Sequence, residues 1–165
     1  MQSLKFNSHS PEQTQLLGSY LGKLAQKADV LLLTGELGTG KTCLVQGLAR
    51  GLDVDEYAFS PSFVILRSYH GRLPLYHIDL YRLDSLDEIA GLGLDDYFYG
   101  DGVCVIEWAE KARQLLPPDS LLISLKYVGA SHTRRSIQLK PQGHRYNQLL
   151  KRLKEEGFLA RNAQR

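Results

Sequence analysis

Three glycines and a lysine fall within eight positions at Gly35-x-x-x-x-Gly40-Lys41-Thr42, directly after the apolar run Val30-Leu31-Leu32-Leu33. This spacing lets a loop wrap its backbone N–H groups around phosphates while the following helix points its positive N-terminal end at them. Gly35, Gly38 and Gly40 permit backbone angles and a close approach that a Cβ would prevent. Lys41 is placed to reach the β- and γ-phosphates, and the Thr42 hydroxyl to ligate Mg²⁺. The whole stretch Gly35, Glu36, Leu37, Gly38, Thr39, Gly40, Lys41 and Thr42 therefore reads as a Walker A cradle for a nucleoside triphosphate. The competing reading is a glycine-rich turn without a ligand, which the strand before and the helical spacing of Leu44, Val45, Leu48 and Leu52 after it disfavour.

Val103-Cys104-Val105-Ile106-Glu107 is the second chemical signal. Four apolar residues followed by an acid describe a buried strand that delivers a carboxylate to the carboxyl edge of a sheet, where ligands bind in α/β folds. Such a carboxylate can hold Mg²⁺, directly or through water, or polarise the attacking water; a surface acid is the bland alternative. Asp79 in "YHIDLY" competes for the same role. Its stretch alternates, with Leu75, His77 and Asp79 on one face and Tyr76, Ile78 and Leu80 on the other, as expected of a hairpin strand rather than a fully buried parallel one, a placement from which Asp79 can still point into the site. Glu107 and Asp79 are taken as a catalytic pair, with Glu107 on the metal side and Asp79 positioning water, or the reverse. His77 reads as a hydrogen-bonded structural residue rather than a catalytic one. In "FSPSF", Ser60 and Ser62 present hydroxyls on a loop stiffened by Pro61. They can serve as a switch that senses phosphate or Mg²⁺, or simply cap a strand.

Several elements must position these groups. Ser10-Pro11-Glu12-Gln13 is an N-cap, a proline at the first helical position and a capping-box glutamine, and Leu17, Tyr20, Leu21, Leu24 and Ala28 continue as one apolar helical face. The β-branched and aromatic residues around His70-Gly71-Arg72 predict two antiparallel strands about a short turn. Ser85-Leu86-Asp87-Glu88 opens a short helix that stops near Gly91. After the Glu107 strand, Ala109 to Leu116 predicts a brief helix ended by Pro117-Pro118, and residues 121–128 and 135–140 two further strands.

At 165 residues, 43% hydrophobic and 23% charged, the chain is long enough for one well-buried core and short for two domains. The expected division is a P-loop domain over residues 1–143 and a basic C-terminal helix or tail, 144–165, of the same domain. The fold class expected is α/β: a single P-loop NTPase-like domain whose mixed central sheet carries an antiparallel hairpin and flanking helices. The start lacks an apolar h-region and no stretch approaches a membrane span, so a cytoplasmic protein without a membrane partner is expected. Cys43 and Cys104, the only cysteines, lack metal spacing and read as reduced core thiols.

The formal charge of +2 conceals an asymmetry. Nine Lys/Arg against two Glu lie from Arg134 onward, leaving eleven against sixteen acids before it. In "HRYNQLLKRLKEEG", Tyr146, Leu149, Leu150 and Leu153 share one helical face, while Arg145, Lys151, Arg152 and Lys154 spread around the rest. This is either a helix packed by its leucines with a solvated charged face, or, together with Arg134 and Arg135, a contact for nucleic-acid phosphates or an acidic partner.

"GELGTGKT", "SPSF", "LPLYHIDLYRL", "GLDDYF" and "VCVIEW" follow one another as they do in the bacterial TsaE (YjeE) family, which the chain resembles from about residue 10 to about 128. The resemblance implies a P-loop ATPase of tRNA threonylcarbamoyladenosine synthesis. ATP and Mg²⁺ are then the cofactors, TsaD-like and TsaB-like proteins the partners, and tRNA a partner indirectly or through the basic tail. It also implies functional roles for the acids matching Asp79 and Glu107 and for the tryptophan matching Trp108, which follows Glu107 and is expected at the nucleotide edge of the sheet. Ser62 stands where the family usually has threonine, keeping the hydroxyl, and Cys43 where it often has a second threonine. Two other readings stay open: a small P-loop kinase acting on a metabolite, and a nucleotide-responsive binding module that does not hydrolyse. No Asn-Lys-x-Asp guanine motif is present.

Overall fold

The computed structural model describes residues 2–55 and 64–159. Ser60 and Ser62 lie outside the described residues. In chain order the strands are β1 (Leu4–Ser8), β2 (Val30–Thr34), β3 (Leu66–Tyr69), β4 (Leu75–Asp79), β5 (Val103–Glu107), β6 (Ser120–Tyr127) and β7 (Arg135–Gln142). The helices are α1 (Pro11–Leu24), α2 (Lys41–Gly51), α3 (Leu86–Ala90), α4 (Asp95–Phe98) and α5 (His144–Glu155), with a 3₁₀ segment at Ala109–Leu115. The strands form one seven-stranded sheet in the order β1-β7-β6-β2-β5-β4-β3.

β2 lies at the centre, parallel to both β5 and β6, which explains its unbroken apolar run: a strand flanked on both sides and covered on both faces has no solvent side to make polar. β4 pairs parallel with β5, while β1–β7, β6–β7 and β3–β4 are antiparallel. On one face α1, α2 and α5 cover Leu31, Leu33, Val103, Val105, Ile123 and Ile137. On the other, α3, α4 and the 3₁₀ segment cover Leu32, Ile78, Cys104 and Ile106. The predicted mixed sheet, hairpin and flanking helices are all present.

α1 begins as expected, with the Ser10 hydroxyl accepting from Gln13 N at 3.2 Å, but it stops at Leu24. Ala28 sits beyond it at φ 68° and is not part of the helical face. α1 and α2 approach closely enough that a Cβ on Gly47 would lie 1.9 Å from the Gln15 carbonyl oxygen, so glycine there is required by contact between backbones. The short helix α3 carries its expected cap, Ser85 Oγ accepting from Glu88 N at 3.2 Å.

β1 was not anticipated from its five residues; it exists because Leu4 and Phe6 enter the core while its backbone pairs with β7. β4 is not a half-solvated hairpin strand. Joined to both β3 and β5, it buries Leu75, His77, Ile78 and Asp79 alike. α5 docks through Tyr146, Leu149, Leu150 and Leu153, each buried leucine contributing about 1.5–3 kcal/mol relative to exposure. Arg145 is held by Asp29, Nε to Oδ1 at 2.9 Å and Nη2 to Oδ2 at 2.6 Å, and the Tyr146 hydroxyl accepts from Val30 N at 2.7 Å, tying α5 to the start of β2. Burial of the Tyr146 phenol pushes its pKa up to about 12. Among the described residues, no helix is long and apolar enough to cross a membrane.

Candidate nucleotide site

The glycine loop leaves the C-terminal end of β2 and enters α2 through Gly40, whose φ of 102° lies in the region that favours glycine. No side chain caps the start of α2. Its first N–H groups are thus left for another acceptor, at the positive end of the helix dipole. The loop is internally fastened by the Thr39 hydroxyl, which donates to the Glu36 carbonyl at 2.8 Å. It is also held from the β6–β7 hairpin: Tyr127 Oη donates to the Leu37 carbonyl at 2.7 Å, and Arg135 Nε to the Thr39 carbonyl at 3.1 Å. The Arg135 guanidinium lies 4.5 Å from the centre of the Tyr127 ring. Neither residue was picked out as part of the site by sequence pattern; the available signal was a hydroxyl-bearing aromatic at the end of a strand beside β2. Arg135, grouped with the basic tail in the sequence, is turned toward this loop.

Lys41 lies inside the loop, its ammonium donating to the carbonyls of Gly35 and Glu36 and sitting 4.1 Å from the centre of the Trp108 ring. Burial pushes its pKa below the ordinary lysine value, opposed by the nearby charges of Glu107, Glu110 and Asp79. Cys43, one position past Thr42, has its thiol pKa raised by burial and by Glu12, against a lowering effect of Arg135.

Strand alternation brings the acids to the same place. Residues 103, 105 and 107 of β5 and 75, 77 and 79 of β4 face the layer that holds α2, and Asp79 is opposite Glu107 in the parallel register. Both carboxylates therefore end at the carboxyl edge of the sheet, beside the start of α2. The Thr42 hydroxyl is 3.1 Å from Glu107 Oε1 and 3.3 Å from Oε2. Glu107 Oε2 is also 2.6 Å from His77 Nε2. Asp79 is buried, and its Oδ1 accepts from Tyr81 N at 2.9 Å. This stabilises the turn after β4 and keeps the carboxylate at the strand end.

Trp108 follows Glu107 in a left-handed conformation, φ 59° and ψ 39°. A bulky residue held there costs about 1–3 kcal/mol, a strain found where the surroundings dictate a side chain's direction. Here it places the indole against Lys41, with Tyr81 packed at 5.1 Å between ring centres. Loop residues, Thr42, Asp79, Tyr81, Glu107 and Trp108 line an open pocket of about 360 Å³. A smaller cavity of about 130 Å³ adjoins it, sharing Gly38, Gly40 and Cys43 and bounded by Pro11, Thr14, His132 and Arg135. A larger cavity, about 580 Å³, is lined by Leu32, Leu122, Pro117 and Arg113 and includes none of residues 35–42. Loop, hydroxyl and acids converge on the 360 Å³ pocket, which makes it the candidate site, size notwithstanding.

Gly35, Gly38, Gly40, Lys41, Thr42, Asp79, Glu107 and Trp108 are thus brought together, as are Glu36, Leu37 and Thr39 within the loop. Leu37 projects outward, 67% exposed. Among the described residues no cluster of three His, Cys, Asp or Glu side chains is set to hold a metal by itself. A Mg²⁺ that takes one or two protein oxygens and completes its shell with phosphates and water needs no such cluster, and the Thr42 hydroxyl beside the Glu107 carboxylate supplies that oxygen chemistry.

Comparison with known proteins gives consistent results. Residues 8–137 match the family model of the threonylcarbamoyl adenosine biosynthesis protein TsaE. The tRNA threonylcarbamoyladenosine biosynthesis protein TsaE of Bacillus subtilis is 41% identical over 154 residues, spanning 93% of this chain and 95% of that one. The protein of the same name from Treponema pallidum is 46% identical over 121 residues, 73% of this chain and 90% of that one. The crystal structure of YdiB from Bacillus subtilis superposes with a TM-score of 0.83 at 36% identity, covering 94% of this chain and 97% of that one.

Proposed function

The chain belongs to the TsaE family, and from that premise we propose that it binds ATP with Mg²⁺ and hydrolyses it slowly as a subunit required for threonylcarbamoyl modification of tRNA, at the adenosine beside the anticodon. TsaD-like and TsaB-like proteins are its partners in this reading. A tRNA-modifying role puts its work in the cytoplasm, and residues 144–165 serve as a basic extension of one P-loop domain rather than a separate unit.

The observation that carries the proposal is the Thr42–Glu107 contact at 3.1 Å, made next to the uncapped start of α2. The loop N–H groups and Lys41 bind the phosphates, with the ammonium exchanging loop carbonyls for β- and γ-phosphate oxygens. When bound, Mg²⁺ neutralises charge developing on the transferred phosphoryl group. Thr42 and Glu107 are the residues that would hold it. Asp79 orients the attacking water and takes up its proton as the γ-phosphate leaves ADP. Trp108, backed by Tyr81, holds its ring against the Lys41 ammonium beside the phosphate site.

The test is ATP turnover by the wild-type chain alone and with TsaB-like and TsaD-like proteins, followed as phosphate release. Mg²⁺-dependent release that rises with the partners is expected. No release under either condition overturns the hydrolase reading in favour of a binding module. Phosphate transferred to an added metabolite favours a kinase.

A further inference from the structure

His77 is fully buried on β4, and its imidazole makes one hydrogen bond among the described residues, from Nε2 to Glu107 Oε2 at 2.6 Å; Nδ1 has no partner among them. An ionised carboxylate only accepts, so in this contact Nε2–H is the donor. A histidine kept simply to fill the core would normally satisfy both nitrogens, because an unpaired buried polar atom has a desolvation cost. Here one nitrogen is left without a described partner while the other makes a short bond to the carboxylate that meets Thr42. With Oε2 held by His77, the Glu107 carboxylate is fixed in rotation, and Oε1 is the oxygen nearest the Thr42 hydroxyl.

We infer that His77 is a positioning residue, whose Nε2–H orients the Glu107 carboxylate toward the Mg²⁺ of the bound nucleotide. The inference rests on the assignment of Thr42 and Glu107 to the metal side in the proposed function. Outer partners of this kind typically change metal affinity by about 10–100-fold when removed. The register explains why no motif reveals the role: His77 is opposite Val105, two residues before Glu107. Its side chain reaches along the sheet to a carboxylate one pleat further on, a relation invisible without the β4–β5 pairing.

The substitutions His77→Gln and His77→Asn separate positioning from packing. The glutamine amide nitrogen can reach the place of Nε2, whereas the asparagine amide reaches only that of Nδ1. ATP affinity is measured by calorimetry with Mg²⁺ and with EDTA, and turnover as a function of Mg²⁺ concentration. For His77→Asn the Mg²⁺ needed for half-maximal turnover rises about tenfold or more, and the Mg²⁺-dependent gain in ATP affinity falls by a similar factor. Affinity in EDTA stays the same, and His77→Gln stays within about threefold of wild type. Wild-type Mg²⁺ dependence in a folded His77→Asn overturns the inference alone. So does an equal loss in both variants that tracks their melting temperatures, since that is a packing role. A wild type whose ATP affinity and turnover ignore Mg²⁺ overturns the metal assignment and this inference with it. Should His77→Asn not fold, the imidazole ¹⁵N resonances of the wild type decide the point. They are expected to show Nε2 protonated, with a shift when Mg²⁺ is added to the ATP-bound protein. The opposite tautomer, or a resonance unmoved by Mg²⁺, overturns it.

Discussion

Lys41 is the one ammonium enclosed by the loop's own carbonyls and by an indole face, so its replacement removes a cation that no described neighbour can supply from the same position. Lys41→Ala is expected to weaken ATP affinity about tenfold or more, since a charge-assisted hydrogen bond contributes about 1.5–3 kcal/mol; calorimetry on the folded variant checks it. Glu107→Ala and Asp79→Ala are expected to reduce turnover by at least about 100-fold, because metal and water contacts strengthen in the transition state; ATP affinity with Mg²⁺ present falls less, by about tenfold for Glu107→Ala through lost metal binding and hardly at all for Asp79→Ala. Wild-type turnover in either variant, with partners present, contradicts the role given to that acid. Trp108 is the only tryptophan and lies over Lys41, so its fluorescence should change on titration with ADP or ATP. A flat titration at saturation would argue against its place at the nucleotide edge. At this scale the glycine loop was plain in the sequence because its chemistry depends on local spacing. Tyr127 and Arg135 were not, since their contacts to Leu37 and Thr39 span about ninety residues of chain.

Elements set how firmly the loop is held. The β6–β7 hairpin reaches the glycine loop from the side through Tyr127 and Arg135, so Tyr127→Phe removes the hydrogen bond to the Leu37 carbonyl while keeping the ring under the guanidinium. A loss of about 0.5–1.5 kcal/mol in nucleotide binding is expected, against a smaller change in melting temperature. Equal affinities by calorimetry show that the loop keeps its shape unaided. The α1–α2 contact is tighter still: Gly47→Ala drives a methyl into the Gln15 carbonyl, with an expected destabilisation of about 1–3 kcal/mol by denaturant titration. α1, α2, α3 and β5 were legible because caps, helical spacing and apolar runs are local signals. β1 was missed because its two inward side chains gain meaning only against β7. β4 was misread because alternation looks the same whether the polar face meets solvent or a buried site, and only the added pairing with β5 decides between them.

For the molecule as a whole, charge distribution is the remaining property to test. The leucine face of α5 is buried and Arg145 is paired with Asp29, while Lys151, Arg152 and Lys154 are exposed. Arg152 also approaches Glu156 at 3.9 Å, an exposed pair of small consequence. Replacing Lys151, Arg152 and Lys154 together by Gln should leave melting temperature and ATP affinity unchanged. Association with tRNA or with the assembled partners should weaken, and its salt dependence should become shallower as counterion release is lost. Unchanged association and salt slope would leave this face as a solvated helix.

From the sequence alone followed the nucleotide loop, the α/β class, the acids to watch and the basic bias of the C-terminal part, because each rests on residue type and spacing along a single strand, helix or turn. The tertiary structure alone decided that Asp79 stands opposite Glu107, that Glu107 meets both Thr42 and His77, and that Arg135 serves the loop rather than the tail. Strand order and register set those relations. They arise when a chain with several buriable faces settles on the one arrangement that pairs its backbone groups and covers both sides of β2 at once.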